Sequence, residues 1–183
     1  MNKQPQVTNH TKQVFIDTFC TLYSQKPIEK ISVQTLTTIA GFNRSTFYQH
    51  FEDIYQLRNA VEASVLAEVH DGLANQSTPN QELATIVNCL DDERYFSKLQ
   101  AVLGPHGSEH FLNRLKAEIP FEKLLNFSGK NDLLTPYLKE VYVATAFALF
   151  QTWIQQGKNL PATDLSTMVE TLFQQGAANY LKA

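Results

Sequence analysis

The chain has 183 residues, which is enough to bury a continuous core without the disulfides that small secreted domains need. No apolar segment near the N-terminus has the length of a signal peptide. The longest apolar run covers residues 141–150 and is too short to span a bilayer. We therefore expect a cytoplasmic protein with no membrane partner. The net charge is −3, which excludes a uniformly basic nucleic-acid binder. The charge is unevenly divided, because residues 1–60 hold six Lys and Arg against four Asp and Glu, whereas residues 61–183 hold nine Lys and Arg against fourteen Asp and Glu. This division indicates a weakly basic head on an acidic body.

Apolar residues recur at spacings of three and four between the prolines, which predicts an all-α fold. The first apolar stripe begins at Phe15 and ends before Pro27, and two short helices follow between residues 31 and 51. A fourth helix begins near Asp53. The later helices are predicted over residues 81–91, 92–103, 108–126, 136–157 and 164–181, with Pro120 bending or dividing the third of them.

These elements predict a helix-turn-helix head over residues 1–52 and a helical body over residues 53–183. Thr135 and Thr163 are predicted to cap the last two helices, because Thr135 directly precedes Pro136 and Thr163 follows Pro161 by two residues. Cys20 and Cys89 lie in apolar helical patterns with no CxxC motif and are predicted as reduced core residues.

Residues 31–51 contain the same helix-start pattern twice. Ser32 is predicted to cap the first short helix, flanked by an apolar pair that packs across the helix start. Asn43 is predicted to cap the second, with Phe42 and Phe47 as the corresponding pair. Gly41 suits the left-handed position that ends the first helix. The three residues from Gly41 to Asn43 are a connection of the length used in a helix-turn-helix.

The second short helix separates apolar from polar side chains. Helical spacing places Phe47 and Phe51 on the inward face. The polar side chains predicted to face outward or to flank this helix are Arg44, Ser45, Thr46, Tyr48, Gln49 and His50. Arg44 can fork onto guanine and Gln49 onto adenine, while the small Ser45 allows close approach to the major groove. The helix is therefore predicted to read double-stranded DNA.

The segment ISVQTLTTIAGFNRSTFYQHFEDIYQL resembles the DNA-binding domain of the TetR family of bacterial transcriptional regulators. The resemblance runs from about Thr11 to about Val65, and the rest of the chain is similar only in its helical layout. It implies a homodimeric, usually repressing regulator with a nine-helix fold, in which a fourth helix links the head to a ligand-binding body and the last two helices pack with the partner subunit.

The resemblance also implies roles for individual residues. The positions that family members use at bases are held here by Gln34, Arg44, Ser45 and Tyr48. The phosphate-contacting positions are held by Ser32, Thr46, Tyr48 and His50. Asn43 and Gln49 complete the predicted DNA interface. Many family members carry a lysine where this chain has Ile54, so a weaker phosphate anchor and a shallower salt dependence are expected here.

The body carries a predicted dimer interface and a predicted effector site. The interface combines the end of one apolar helix with the apolar stripe of the last. Its predicted residues are Phe150, Trp153, Leu165, Met168, Val169, Leu172, Phe173, Gly176 and Tyr180. The residues predicted to line a site for a small apolar or amphipathic effector are His110, Tyr142 and Trp153.

Two patterns in the body resemble catalytic or metal sites. Residues 106–110 fit the zinc-peptidase pattern H-x-x-E-H, but His106 lies among glycines and a proline and no third ligand is indicated. Ser108 is more simply the cap of the helix that follows, and adventitious metal binding by His106 and His110 stays open. The acidic residues 91–93 are interpreted as complementing a helix dipole. No metal site, cofactor or enzymatic activity is therefore predicted.

The sequence predicts a transcriptional regulator that binds a palindromic operator as a homodimer and is released by a small-molecule effector. The alternative is a helical protein-interaction module of the same fold that no longer reads an operator.

Overall fold

The computed structural model describes residues 4–74, 92–107, 109–118 and 133–181, and every regular element in these residues is helical. The all-α prediction is confirmed. The α-helices are α1 Gln4–Tyr23, α2 Val33–Ala40, α3 Arg44–Tyr48, α4 Ile54–Ala74, α5 Glu93–Leu103, α6 Glu109–Glu118, α7 Thr135–Gln155 and α8 Ala162–Leu181, with a short 3-10 helix at Ile28–Lys30. The described residues do not include the predicted helix over residues 81–91, which contains Cys89. They also do not include Ser108 or Pro120.

The predicted caps of the last two helices are wrong by one or two residues. α7 begins at Thr135 because the carbonyl of Leu134 accepts the first helical hydrogen bond, from Leu138 N. Thr135 is therefore the first residue of the helix rather than its cap. α8 begins at Ala162 because the carbonyl of Pro161 accepts from two amides of the first turn, which leaves Thr163 inside the helix.

The chain forms two compact units. Among the described residues, the first unit contains 4–65, 93–107 and 109–111, and the second contains 66–74, 92, 112–118 and 133–181. The first unit therefore extends past the predicted boundary at residue 52, and it includes the start of α4 and all of α5. The reason is packing, because α1 lies against α5 as well as against α2.

The core of the first unit is built on α1 and the first half of α4. Phe15 is fully buried, and its ring centroid lies 5.3 Å from that of Phe42 and 5.5 Å from that of Phe47. Leu57 and Val61 of α4 are also fully buried. These contacts fix α3 against α1 and orient its outward face.

Cys20 lies in the core of the first unit, as predicted. Burial raises the pKa of its thiol to about 12, and the nearby Asp17 carboxylate adds to the shift. The thiol is therefore neutral at physiological pH and is an unreactive core residue.

The second unit buries part of the predicted dimer stripe within one chain. Its core combines residues of α4, α7 and α8, including Tyr142 and Val169, and the ring of Tyr142 meets that of Phe173 edge-on at 5.1 Å. Four predicted interface residues are buried here without a partner subunit: Phe150, Trp153, Leu165 and Val169. Met168, Leu172 and Gly176 are exposed, and the side chain of Tyr180 lies outside the described residues.

Candidate nucleic-acid interface

Ser32 caps the start of α2, as predicted. Ser32 Oγ accepts a hydrogen bond from Thr35 N at 3.0 Å, in extended backbone at φ −98° and ψ 152°. The flanking residues Ile31 and Leu36 are buried, as expected of a pair that packs across the helix start. The predicted cap of α2 is confirmed, and it fixes the direction in which the chain enters the helix.

The turn between α2 and α3 depends on Gly41. Its φ of +74° lies in the left-handed region, which a glycine adopts at little cost. The amide of Gly41 donates to Thr38 O and the amide of Phe42 donates to Thr37 O at 3.0 Å, which is the Schellman arrangement. The turn places the Phe42 ring against Phe15, so the end of α2 and the start of α3 are held on the same core.

The start of α3 differs from the prediction in one hydrogen bond. Asn43 has the extended backbone of a capping residue, φ −81° and ψ 155°, but its side chain makes no capping bond. The amide of Thr46 donates to the backbone carbonyl of Asn43 at 3.0 Å. The Asn43 amide group is consequently left exposed beside the start of α3.

The inward face of α3 is apolar and closely packed. Phe47 is fully buried, and its ring lies 5.6 Å from that of Phe51, which is also buried. His50 is half-buried, with its ring 6.1 Å from that of Phe15. The predicted inward pair is confirmed, and His50 lies at the side where α1 meets the end of α3.

The outward face of α3 carries exposed hydrogen-bonding groups. Arg44, Ser45 and Gln49 are exposed, Tyr48 is 49% exposed and Thr46 is partly covered. Arg44 Nη2 donates to the Tyr48 hydroxyl at 3.3 Å, one helical turn away. Because arginine has five N–H donors, this bond positions the guanidinium while leaving other donors for a ligand.

α2 adds a second polar row. Gln34 is exposed, and its Nε2 donates to Thr38 Oγ1 at 3.2 Å. Ile39, on the same helix, is 60% exposed. The side chains of Gln34 and Thr38 are thus held together and presented to solvent.

Sequence reasoning missed the cap of α4. Asp53 Oδ1 accepts from Gln56 N at 2.7 Å, and Gln56 Oε1 accepts from Glu52 N at 2.7 Å. The spacing D-x-x-Q is the capping-box spacing, so the signal was available in the sequence. The acidic pair after α3 therefore includes a structural cap.

Ile54, where family members often carry a lysine, is a core residue in this chain with 6% of its surface exposed. A lysine ammonium would be buried at this position unless its stem turned toward solvent.

The residues of the zinc-peptidase pattern take different structural roles. His106 lies in the turn after α5, whereas His110 lies in α6. His110 Nδ1 lies 2.8 Å from Oε2 of Glu62, which is fully buried and also lies 3.4 Å from Arg58 Nε. In the parts of the chain that the structure describes, no group of three or more His, Cys, Asp and Glu residues could hold a metal ion.

The three predicted effector residues do not share one unit. His110 belongs to the first unit and bonds to Glu62, while Tyr142 and Trp153 are buried in the second. Trp153 Nε1 donates to Leu160 O at 2.8 Å, so its indole N–H is already bonded within the chain.

Comparison with solved structures identifies the fold. The chain is similar to the fatty acid degradation regulator FadR from Bacillus halodurans, with a TM-score of 0.64 over 96% of this chain and 98% of that chain, at 14% sequence identity. The chain has a TetR-like fold. At this identity the likeness shows the fold alone. No family model and no curated protein matches the sequence. No helix in the described ranges is long and apolar enough to cross a membrane.

Proposed function

We propose that the chain is a DNA-binding transcriptional regulator in which α3 is the recognition helix. The observation that carries the proposal is the division of α3 into a buried face, centred on Phe47, and an exposed face of hydrogen-bonding side chains. Base edges in the major groove are read by such groups, and an α-helix fits that groove. The resemblance of the fold to a regulator supports this function over an enzymatic one.

Arg44 and Gln49 are the proposed base readers. Both are exposed, and their side chains offer the paired donors and acceptors that guanine and adenine require. The bond from Arg44 to the Tyr48 hydroxyl restricts the guanidinium before DNA is bound, which lowers the entropy cost of a bidentate contact. Gln34 on α2 is the third proposed reader.

The phosphate contacts are proposed for side chains at the edges of this face. Ser32, Thr46, Tyr48 and His50 carry hydroxyl or imidazole groups that can bond to phosphate oxygens. Ser32 Oγ accepts a hydrogen bond from Thr35 N where it caps α2, so its contact with a phosphate oxygen would use the hydroxyl proton. Asn43 joins this set because its amide makes no capping bond.

A homodimer is proposed for the complete regulator. Met168 and Leu172 are 37% and 57% exposed on α8, and a methyl group added at Gly176 would meet nothing within 4 Å. An exposed apolar row beside a small residue suits close packing against a second copy. Two recognition helices related by a twofold axis would then read a palindromic operator.

Release by a small apolar or amphipathic effector is proposed for the body. α4 continues without interruption from the first unit into the second, which makes it the candidate for transmitting a change. Because the similar structure is of a fatty acid degradation regulator, fatty acids are the first probes. A ligand that lowers operator affinity must bind the DNA-free form more tightly.

The test is a footprint on the DNA that flanks the coding region, with Arg44→Ala and Tyr48→Phe as variants. We expect protection by the wild-type chain and a loss of about 1 to 3 kcal/mol in binding free energy for Arg44→Ala. Tyr48→Phe, which removes only the hydroxyl, should weaken binding less. Absence of any protected site, together with capture of a protein partner, would favour the protein-interaction alternative.

A further inference from the structure

We propose that Lys12 of α1 is a phosphate-binding residue that anchors one edge of the DNA interface. The proposal rests on the proposed function. Lys12 is exposed, and its Nζ lies 5.8 Å from the centroid of the Phe51 ring. Phe15, one helical turn further along α1, packs under α3. Lys12 therefore extends from the same side of α1 that supports the recognition helix.

The position of Phe51 places this ammonium at the flank of α3. The Phe51 ring lies 5.6 Å from that of Phe47 and 6.4 Å from that of His50. His50 in turn lies beside Phe15 of α1. The ammonium of Lys12 and the imidazole of His50 thus border the same ring, at the side of α3 where α1 passes.

A duplex seated on α3 brings phosphates to this flank. The major groove is about 12 Å wide and is bordered on both sides by phosphate backbones, so residues beside a recognition helix meet phosphates rather than bases. A flexible lysine with a compact charge suits such a contact. Lys12 would fix the position of the helix without reading sequence.

The charge of Lys12 is available for a ligand. No ion pair with Lys12 occurs in the part of the chain that the structure describes. Two carboxylates follow Phe51 directly in the chain: Glu52 is exposed, and Asp53 accepts from Gln56 N at the start of α4. The contact between the exposed Lys12 ammonium and the buried Phe51 ring is weak. It keeps the ammonium near α3, but a phosphate can displace it.

The test measures binding to a random-sequence 30-base-pair duplex as a function of salt, by fluorescence anisotropy. Binding weakens as salt rises, so the slope of log K against log salt is negative. Lys12→Gln should make this slope shallower, by about 0.9 for each phosphate that the ammonium neutralises in the wild-type complex. Lys12→Arg, which keeps the charge, should retain the wild-type slope.

The control is Lys116→Gln. It removes the same charge from the second unit, where Lys116 Nζ already lies 2.6 Å from Glu140 Oε1, and it should leave the slope unchanged. A wild-type slope in Lys12→Gln, while the wild-type chain binds DNA, would overturn the role of Lys12 and leave the proposed function intact. Absence of salt-dependent binding by the wild-type chain would overturn both.

Discussion

Glu62 supports the most specific stability prediction. Its side chain is fully buried, and its two carboxylate oxygens lie 3.4 Å from Arg58 Nε and 2.8 Å from His110 Nδ1. The first contact is within α4 and the second joins α4 to α6. A buried carboxylate is stable only while such partners compensate for its lost hydration. Removal of one partner should therefore lower the free energy of unfolding.

The expected cost of His110→Ala is about 1 to 3 kcal/mol in the free energy of unfolding. Breaking a fully buried pair typically costs about 3 to 5 kcal/mol. The side chain of His110 is 50% exposed and Arg58 remains beside the carboxylate, so the lower cost of leaving a buried hydrogen-bond acceptor unsatisfied applies. The measurement is urea denaturation followed by circular dichroism, at one fixed protein concentration because dimerisation would add to the apparent stability.

A double-mutant cycle with Glu62→Gln tests the cause. A neutral amide needs less compensation than a carboxylate, so His110→Ala should cost at least about 1 kcal/mol less in the Glu62→Gln background. If the two changes add to within about 0.5 kcal/mol, the buried charge is not what makes His110 important, and the reasoning is refuted.

Three further predictions concern the turn, the caps and the buried thiol. Gly41→Ala should lower stability by about 1 kcal/mol, because alanine is strained at φ +74°, and Gly41→Asn should cost less in the same urea titration. Ser32→Ala should lower the free energy of unfolding by about 1 kcal/mol, because it removes the bond to Thr35 N. Asn43→Ala removes no capping bond and should lower it by less than about 0.5 kcal/mol. Equal costs would contradict the assignment of the caps. Burial raises the pKa of Cys20 from about 9 to about 12, so the unfolded chain releases this proton first and stability should fall as pH rises from 9 to 12, by up to about 1.4 kcal/mol per pH unit. The same free-energy titration in Cys20→Ser should lack this decrease, and an identical pH dependence in both chains would disprove it.

Local features of the head could be predicted from the sequence because they depend on neighbouring residues. The cap at Ser32, the left-handed Gly41 and the inward Phe47 all follow from spacings within one or two helical turns, and the structure confirms them. The failed side-chain cap at Asn43 shows the limit of such reasoning. Whether an amide bonds to the capping side chain or to the backbone carbonyl depends on geometry that the residue types alone do not determine.

Features that join distant segments could not be predicted. Glu62 and His110 are 48 positions apart, and neither neighbourhood in sequence indicates a buried carboxylate. Lys12 meets Phe51 only because α1 packs beside α3. Likewise, the stripe on α8 combines buried Leu165 with exposed Leu172, a distinction that helical periodicity alone does not make. The effector residues and the dimer interface stay predictions.

The most direct test of sequence reading by α3 is selection from a pool of random DNA duplexes with the full-length chain, followed by sequencing of the bound fraction. We expect enrichment of one site with two half-sites related by a dyad, centred about one helical turn or a multiple of it apart. Arg44→Ala should lose the preference at one position of each half-site while retaining salt-dependent binding. A bound fraction with no enriched sequence, or the same enriched site with Arg44→Ala, would contradict the assignment of α3 and Arg44 as the reading elements.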